Sequence, residues 1–344
     1  MIKEDADSIK GPVFVVGNSR SGTTMMGHIL RNHPMIFTLH HELHFFEQLC
    51  ASADYNRVLS FEESVKLASR LLCINHDSYW TQGDPARFSE EAETVIRSIR
   101  NRSTTPVVIF EQFLRYVALK NGKQIPCDQT PRYILYIADI LKLYPDSRVI
   151  NMIRDPRPVL LSQKNKWKRR WMGYKNFPLK ESIRTKINYH PITISMLWKA
   201  SVQAVSRFVD HPRVLVVRFE DILTDSETEV RRICDFLGVD FYKEMLDIPQ
   251  GGSSLKKFTA NKGIDSSRVE AWRQGGLNPT EIYLCQKITG TLMEKYGYEP
   301  VSTKVNPLTL LWYLFSLPLK LVMSFILNLK RMKSIPEAIR RRLL

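Results

Sequence analysis

The chain has 344 residues, of which 44% are hydrophobic and 25% charged, and this composition excludes a wholly disordered protein. Its 50 Lys and Arg outnumber 35 Asp and Glu, and the net charge of +15 favours a phosphorylated ligand, nucleic acid or an anionic membrane surface as partner. The basic clusters, residues 164–175 and 301–344, have no aromatic RNA-binding signature beside them, so we do not expect nucleic acid.

Residues 1–11 form an N-terminal extension without an apolar stretch, which predicts no signal peptide and a cytoplasmic protein. Short apolar runs that read as strands follow at 12–16, 35–38, 125–127, 148–153 and 213–218. Helices are predicted over 23–32, 133–143, 192–209, 225–237 and 280–296. Strands alternating with helices indicate an α/β fold, in which a central, mostly parallel sheet is flanked by helices and binds ligands at its carboxyl edge.

A glycine loop joins the first strand to the first helix, with the sequence GNSRSGTT from Gly17 to Thr24. Its glycine spacing is that of a nucleotide-binding loop, so we predict one P-loop-type domain over residues 12–300. Thr23 stands where an ATPase or GTPase carries the lysine that reaches the β and γ phosphates. Arg20 instead provides a permanent cation inside the loop. A P-loop kinase acting on a small metabolite is the alternative.

The loop resembles the 5′-phosphosulfate loop of sulfotransferases that use 3′-phosphoadenosine 5′-phosphosulfate (PAPS). A second stretch, VINMIRDPRPVLLSQ, resembles that family's 3′-phosphate element, in which an Arg is followed eight residues later by a Ser. The resemblance covers most of residues 12–298. It implies PAPS as donor, its desulfonated form PAP as product, and no metal. The nucleotide-binding residues that it implies are Arg20, Ser21, Gly22, Thr23, Thr24, Arg154, Ser162 and Lys262, with Lys256 and Lys257 as competitors for the role of Lys262.

The sequence HHELHFF after the second strand has the densest cluster of titratable side chains, namely His40, His41, Glu42 and His44. Its ELHFF segment resembles the EVHFF of glycosaminoglycan sulfotransferases, which implies Glu42 as the general base. His41 competes for that role, and His44 is expected to orient the base or bind the acceptor. A zinc site and a purely structural cluster are the alternatives, although the spacing is not HExxH.

Acceptor contacts are less defined by the sequence. The stretch DQTPRY resembles an element of the carbohydrate-acting branch that often carries a lysine where Gln129 stands here. Asp128 and Arg132 are the remaining candidates in this stretch. We therefore predict an acceptor hydroxyl on a carbohydrate, glycolipid or lipid. A third hypothesis is a non-catalytic membrane adaptor that keeps the fold.

Residues 301–344 form an apolar and basic tail. Leu308 to Leu329 has Lys320 as its one charged side chain, and Lys330, Arg331 and Lys333 follow. The length suffices for a membrane span, but Pro318 and Lys320 near its centre argue against one. We predict a helical segment on the surface of a membrane through residues 308–333, on the cytoplasmic face. Packing in the core or in an oligomer is the alternative.

Overall fold

The computed structural model describes residues 11–81, 83–172, 178–249, 263–265, 269–329 and 333–343. Its strands are β1 Val13–Gly17, β2 Ile36–Thr38, β3 Ile125–Gln129, β4 Arg148–Ile153 and β5 Val214–Arg218. Its helices are α1 Thr23–Arg31, α2 Phe61–Thr81, α3 Ser89–Arg97, α4 Pro106–Lys120, α5 Ile137–Leu143, α6 Pro156–Lys164, α7 Leu179–Asn188, α8 Pro191–Ser206, α9 Phe219–Thr224, α10 Ser226–Leu237, α11 Pro279–Lys295, α12 Pro307–Asn328 and α13 Ile335–Leu343.

The strands form one sheet in the order β2-β3-β1-β4-β5, and every neighbouring pair is parallel. β1 is central, with Val13 opposite Cys127 of β3 and Arg148 of β4. The predicted parallel sheet is confirmed. Because parallel strands end at the same edge, the segments that follow β1 and β4 emerge side by side.

Alternation along β1 explains how the sheet is buried on both faces. Phe14 and Val16 point into one apolar cluster, which includes Phe110 of α4. Val15 points into the opposite cluster with Met26 of α1. Since side chains alternate across a strand, a strand covered on both faces reads as an unbroken apolar run. This is why the strands were recognisable in the sequence.

The predicted helix over 133–143 is in part wrong. A 3-10 helix occupies Pro131–Tyr136, and only Ile137–Leu143 is α-helical. The cause is a tertiary contact, because the backbone N–H of Phe45 donates to the Tyr133 hydroxyl at 2.9 Å and the Tyr133 ring is fully buried. Asp225 caps the N-terminus of α10, since its side chain accepts from the Thr228 N–H at 3.4 Å.

In the described part of the C-terminal tail, the helices α12 and α13 are attached to the domain. Within the described residues, α12 is the helix long and apolar enough to cross a membrane, judged by length and composition. It packs against α7 and α8. After it, Arg341 of α13 forms an ion pair with Asp139 of α5 at 2.8 Å. The backbone N–H of Lys333 donates to the Glu47 carbonyl at 3.1 Å, so the tail returns to the segment that follows β2.

Candidate active site

The glycine loop between β1 and α1 is a tight turn with two residues in the left-handed region. Arg20 has φ 81° and Gly22 has φ 94°, and the Ser21 N–H donates to the Asn18 carbonyl at 3.0 Å. A Cβ on Gly22 would lie 2.2 Å from Cδ2 of Phe219. Glycine is required here both by backbone conformation and by close packing.

The loop offers the groups that a bound phosphate or sulfonate needs. The first turn of α1 has no acidic residue, and helix N-termini attract anions through their N–H groups and dipole. The Ser21 side chain is fully buried, and its hydroxyl has no hydrogen-bond partner in the described part of the chain. Thr23 is also buried and accepts from Nε2 of Gln129 at 3.3 Å, whereas Thr24 is exposed. The residues therefore fit an anionic group.

The second predicted element lies against the loop. Nε of Arg20 donates to the Ser162 hydroxyl of α6 at 2.9 Å. Nη1 of Arg154, which follows β4, donates to the Arg20 carbonyl at 3.3 Å. The Arg154 guanidinium stacks 4.1 Å from the centre of the Phe219 ring. Arg20, Arg154 and Ser162, far apart in sequence, thus meet at the carboxyl edge of the sheet.

A neighbouring arginine in the same stretch has a structural role. Arg157 is buried, and its Nη2 lies 2.6 Å from Oδ2 of Asp155. Its guanidinium also donates to the Glu299 carbonyl at 2.8 Å and stacks over the Trp272 ring. Asp155 therefore pairs with Arg157. Arg154 contacts the loop through its hydrogen bond to the Arg20 carbonyl.

Glu42 lies in a chain of charged side chains that follows β2. Its Oε2 is 3.3 Å from Nε2 of His44, and Nδ1 of the same histidine is 3.7 Å from Oε2 of Glu47. Glu47 in turn pairs with Arg132. His44 is buried in a left-handed backbone conformation, φ 53°, while 39% of the Glu42 side chain is exposed. The buried imidazole therefore fixes a carboxylate that a substrate can reach.

Two carboxyl groups in this region titrate differently. Burial acts to raise the pKa of Glu42, but the hydrogen bond and charge of His44, with smaller effects of Lys166 and Arg132, lower that pKa overall. Burial raises the pKa of Asp128 to about 7. Asp128 is fully buried and accepts from the Thr130 hydroxyl at 2.6 Å. Asp128 is enclosed in the protein, and Glu42 is the accessible one of these two carboxyl groups.

The neighbouring His41 lies in a different electrostatic environment. Burial lowers its pKa, and the nearby charges of His40 and Arg31 lower it further. The pKa of Glu42 is affected instead by His44 and Lys166.

The described residues contain no group of three His, Cys, Asp or Glu side chains that could hold a metal. Lys262, Lys256 and Lys257 lie outside the described residues.

Lys166 is a charged residue of the site that sequence reasoning did not single out. It begins the 3-10 helix Lys166–Met172 directly after α6. Burial, together with the positive charges of Arg169, Arg20 and Arg184, lowers the pKa of Lys166 to about 7, and Glu42 opposes this effect. Lys166 is thus electrostatically coupled to both Arg20 and Glu42. In the sequence it was one of many basic residues in 164–175.

The fold and the loop define a P-loop protein whose loop lacks the lysine of ATPases. A sequence model described as the Sulfotransferase family matches residues 12–244. The chain belongs to this family, as its motifs predicted, and is a transferase of sulfonate groups. The kinase alternative is therefore wrong.

The chain is also similar to known proteins and solved structures. Nodulation protein NoeE of Sinorhizobium fredii is 22% identical over 301 residues, which are 83% of this chain and 65% of that protein's length. The sulfotransferase domain from the curacin biosynthetic pathway is 20% identical, with a TM-score of 0.51, and the match covers 85% of this chain and 99% of that domain. This similarity shows that the chain shares the fold of that domain. A mouse sulfotransferase complexed with PAP matches over 86% of this chain and 93% of its own, with 13% identity and a TM-score of 0.40.

Proposed function

We propose that the chain transfers the sulfonate group of PAPS to a hydroxyl of a carbohydrate, glycolipid or lipid acceptor, with Glu42 as general base. The observation that carries this proposal is the hydrogen bond from Arg20 to Ser162, which joins the two elements predicted to bind the nucleotide. Lys166 interacts electrostatically with both Arg20 and Glu42, which links the proposed base to the loop.

In the proposed complex the loop residues Ser21, Gly22, Thr23 and Thr24 hold the 5′-phosphosulfate at the N-terminus of α1. PAPS supplies the sulfonate, and the electron pair of the broken S–O bond leaves with the phosphate of PAP. Arg20, a permanent cation, stabilises the negative charge that develops on that leaving oxygen. The acceptor oxygen forms the new S–O bond, and its proton moves to a carboxylate oxygen of Glu42.

Two further groups of residues support this chemistry. Arg154 and Ser162 are assigned to the 3′-phosphate, and Lys262 remains assigned to the basic loop over the nucleotide. His44 is a positioning residue, since it lies between Glu42 and Glu47 and so fixes the carboxylate that takes the proton. The lowered pKa of Glu42 keeps this carboxylate ionised at neutral pH, as a base must be.

The test compares Glu42→Gln with His41→Asn. The assay follows label from PAPS into a panel of sugars and long-chain alcohols, and calorimetry measures PAP binding. We expect Glu42→Gln to reduce turnover by about a hundredfold or more, the usual effect of losing a general base, with PAP affinity unchanged. His41→Asn should retain most of the turnover. Full activity of Glu42→Gln, or loss of turnover in His41→Asn alone, would falsify the assignment of the base.

A further inference from the structure

The amphipathic pattern of α12 is the reverse of that in a water-soluble domain. Every exposed residue between Pro307 and Asn328 is apolar, and Trp312 and Phe315 are 68% and 79% exposed. The polar residues of the helix recur every three or four positions and are half-buried: Thr309, Tyr313, Ser316, Lys320, Ser324 and Asn328. A helix on a soluble domain presents its polar face outward. Here the polar stripe faces the protein.

Hydrogen bonds fix α12 in this orientation. The Ser324 hydroxyl donates to Oδ1 of Asn188 at 2.8 Å, and Nδ2 of Asn328 donates to the same oxygen at 3.1 Å. Further along, Nδ2 of Asn278 donates to the Tyr313 hydroxyl at 3.1 Å. Rotating the helix to bury its apolar side would break these bonds. The outward apolar face therefore follows from the polar contacts beneath it.

The resulting surface is large. A helix of 22 residues is about 33 Å long at 1.5 Å per residue. The exposed side chains of Leu179 and Ile183 lie on α7, against which α12 packs. Contiguous apolar patches of this kind mark sites of interaction with proteins or membranes. We call the exposed side of α12, with Leu179 and Ile183, the apolar face.

The charged residues near α12 distinguish between a second copy of the chain and a lipid surface as the partner of the apolar face. Between Glu299 and Glu337 the chain contains the half-buried Lys320 and, on either side of α12, Lys304, Lys330, Arg331 and Lys333, but no Asp or Glu. A two-fold dimer through α12 would bring like charges together without acidic partners, because such an interface is self-complementary. A full membrane span would surround the helix with lipid, yet one side of α12 is hydrogen-bonded to the domain. An anionic lipid surface suits both the apolar face and its basic ends.

We propose that the apolar face lies in the headgroup–acyl boundary of an anionic lipid leaflet, with α12 parallel to the membrane plane. The partner is thus the lipid surface itself, and the domain stays on one side of the bilayer. This inference does not depend on the identity of the acceptor or on the assignment of the base.

The test uses the full chain and flotation with vesicles of phosphatidylcholine alone or mixed with phosphatidylglycerol. We expect flotation with the anionic vesicles and at least about tenfold weaker binding to the neutral ones, since the basic flanks contribute attraction. Trp312→Ser combined with Phe315→Ser should weaken anionic binding by about tenfold or more, because both side chains bury apolar area in lipid. The matched control, Val58→Ser with Phe61→Ser, alters two exposed apolar residues elsewhere and should float like the unaltered chain.

Two further measurements make the outcome decisive. Calorimetry with PAP reports whether the nucleotide site is intact in each variant, separately from lipid binding. Light scattering without lipid reports the oligomeric state. The proposal is overturned if the full chain binds PAP but no vesicle. It is also overturned if a stable dimer dissociates on changing Trp312 and Phe315 while flotation does not change.

Discussion

Neighbouring groups determine the pKa of Glu42, the proposed base. Burial alone would raise its pKa, but His44 lowers it, so the group is ionised well below neutral pH. His44 itself is fixed by Glu47, and Glu47 pairs with Arg132. A base with a low pKa is always available but is a weaker proton acceptor than one matched to pH 7. The contacts with His44 therefore keep the Glu42 carboxylate ionised and in position, but they do not make it a stronger base.

Lys166 provides a pH-dependent test at the residue scale. With its pKa lowered to about 7 by burial and nearby cations, it is mostly neutral at pH 8. A bound anion beside Arg20 would raise that pKa, because a nearby negative charge favours the protonated amine. We expect PAP binding at pH 8 to take up a proton, and PAP affinity to fall as pH rises from 7 to 9.

Calorimetry of PAP binding in buffers of different ionisation enthalpy measures this uptake. Lys166→Met should abolish it, while Lys168→Met, which alters an exposed neighbour, should not. If the uptake is the same in Lys166→Met and in the unaltered chain, another group carries the proton and the prediction is wrong.

The sequence predicted some site residues and missed others for a physical reason. Gly22 and Arg20 could be proposed from the sequence because a phosphate loop is a local feature whose glycines must occupy fixed positions. Lys166 was not found, because its altered pKa depends on which distant cations pack around it. The burial of Asp128 was likewise not visible in its local sequence.

Among the elements, α9 connects the two segments that are predicted to bind the nucleotide. Its first residue, Phe219, packs against Gly22 on one side and carries the Arg154 guanidinium on its ring. The positions of the loop and of Arg154 therefore depend on one aromatic side chain that comes after β5. The sequence indicated the glycine but not the ring that requires it.

Gly22→Ala tests this arrangement, with Gly122→Ala as control. Both glycines have positive φ, but a Cβ on Gly22 would collide with Phe219, whereas one on Gly122 has no atom within 4 Å. We expect Gly22→Ala to reduce the free energy of unfolding by about 1–3 kcal/mol more than the control, from overpacking. PAP binding should weaken in Gly22→Ala only. Denaturant unfolding and calorimetry measure the two effects, and equal losses in both variants would contradict the role of Phe219.

For the whole molecule, the sequence was most informative about the sheet and least about the tail. The central strand β1 was the most recognisable, because burial on both faces leaves an unbroken apolar run. The tail was recognisable as apolar, but which side of α12 faces the domain depends on partners such as Asn188 and Asn278. We proposed a division into residues 1–11, 12–300 and 301–344. The last of these segments, the tail, is held to the domain by the ion pair between Arg341 and Asp139.

The position of the tail leads to a prediction about the acceptor. The backbone of Lys333, which follows α12, contacts Glu47, and Glu47 lies beside His44 in the cluster of the proposed base. A hydroxyl held at the membrane surface would therefore lie close to Glu42. When the protein acts on a total cell extract with labelled PAPS, we expect the label in the chloroform phase. Label confined to small water-soluble sugars would contradict a lipid-borne acceptor.

The packing of Phe219 against Gly22 also has a consequence for the order of events during synthesis. The phosphate loop leaves the ribosome early, but the ring beneath it is made only after β4 and β5. Parallel pairing between distant segments is slow to form. A nascent chain that ends before α9 would therefore carry the complete loop sequence without a finished binding site. Nucleotide can then stabilise the protein only as a late ligand, after most of the sheet has assembled.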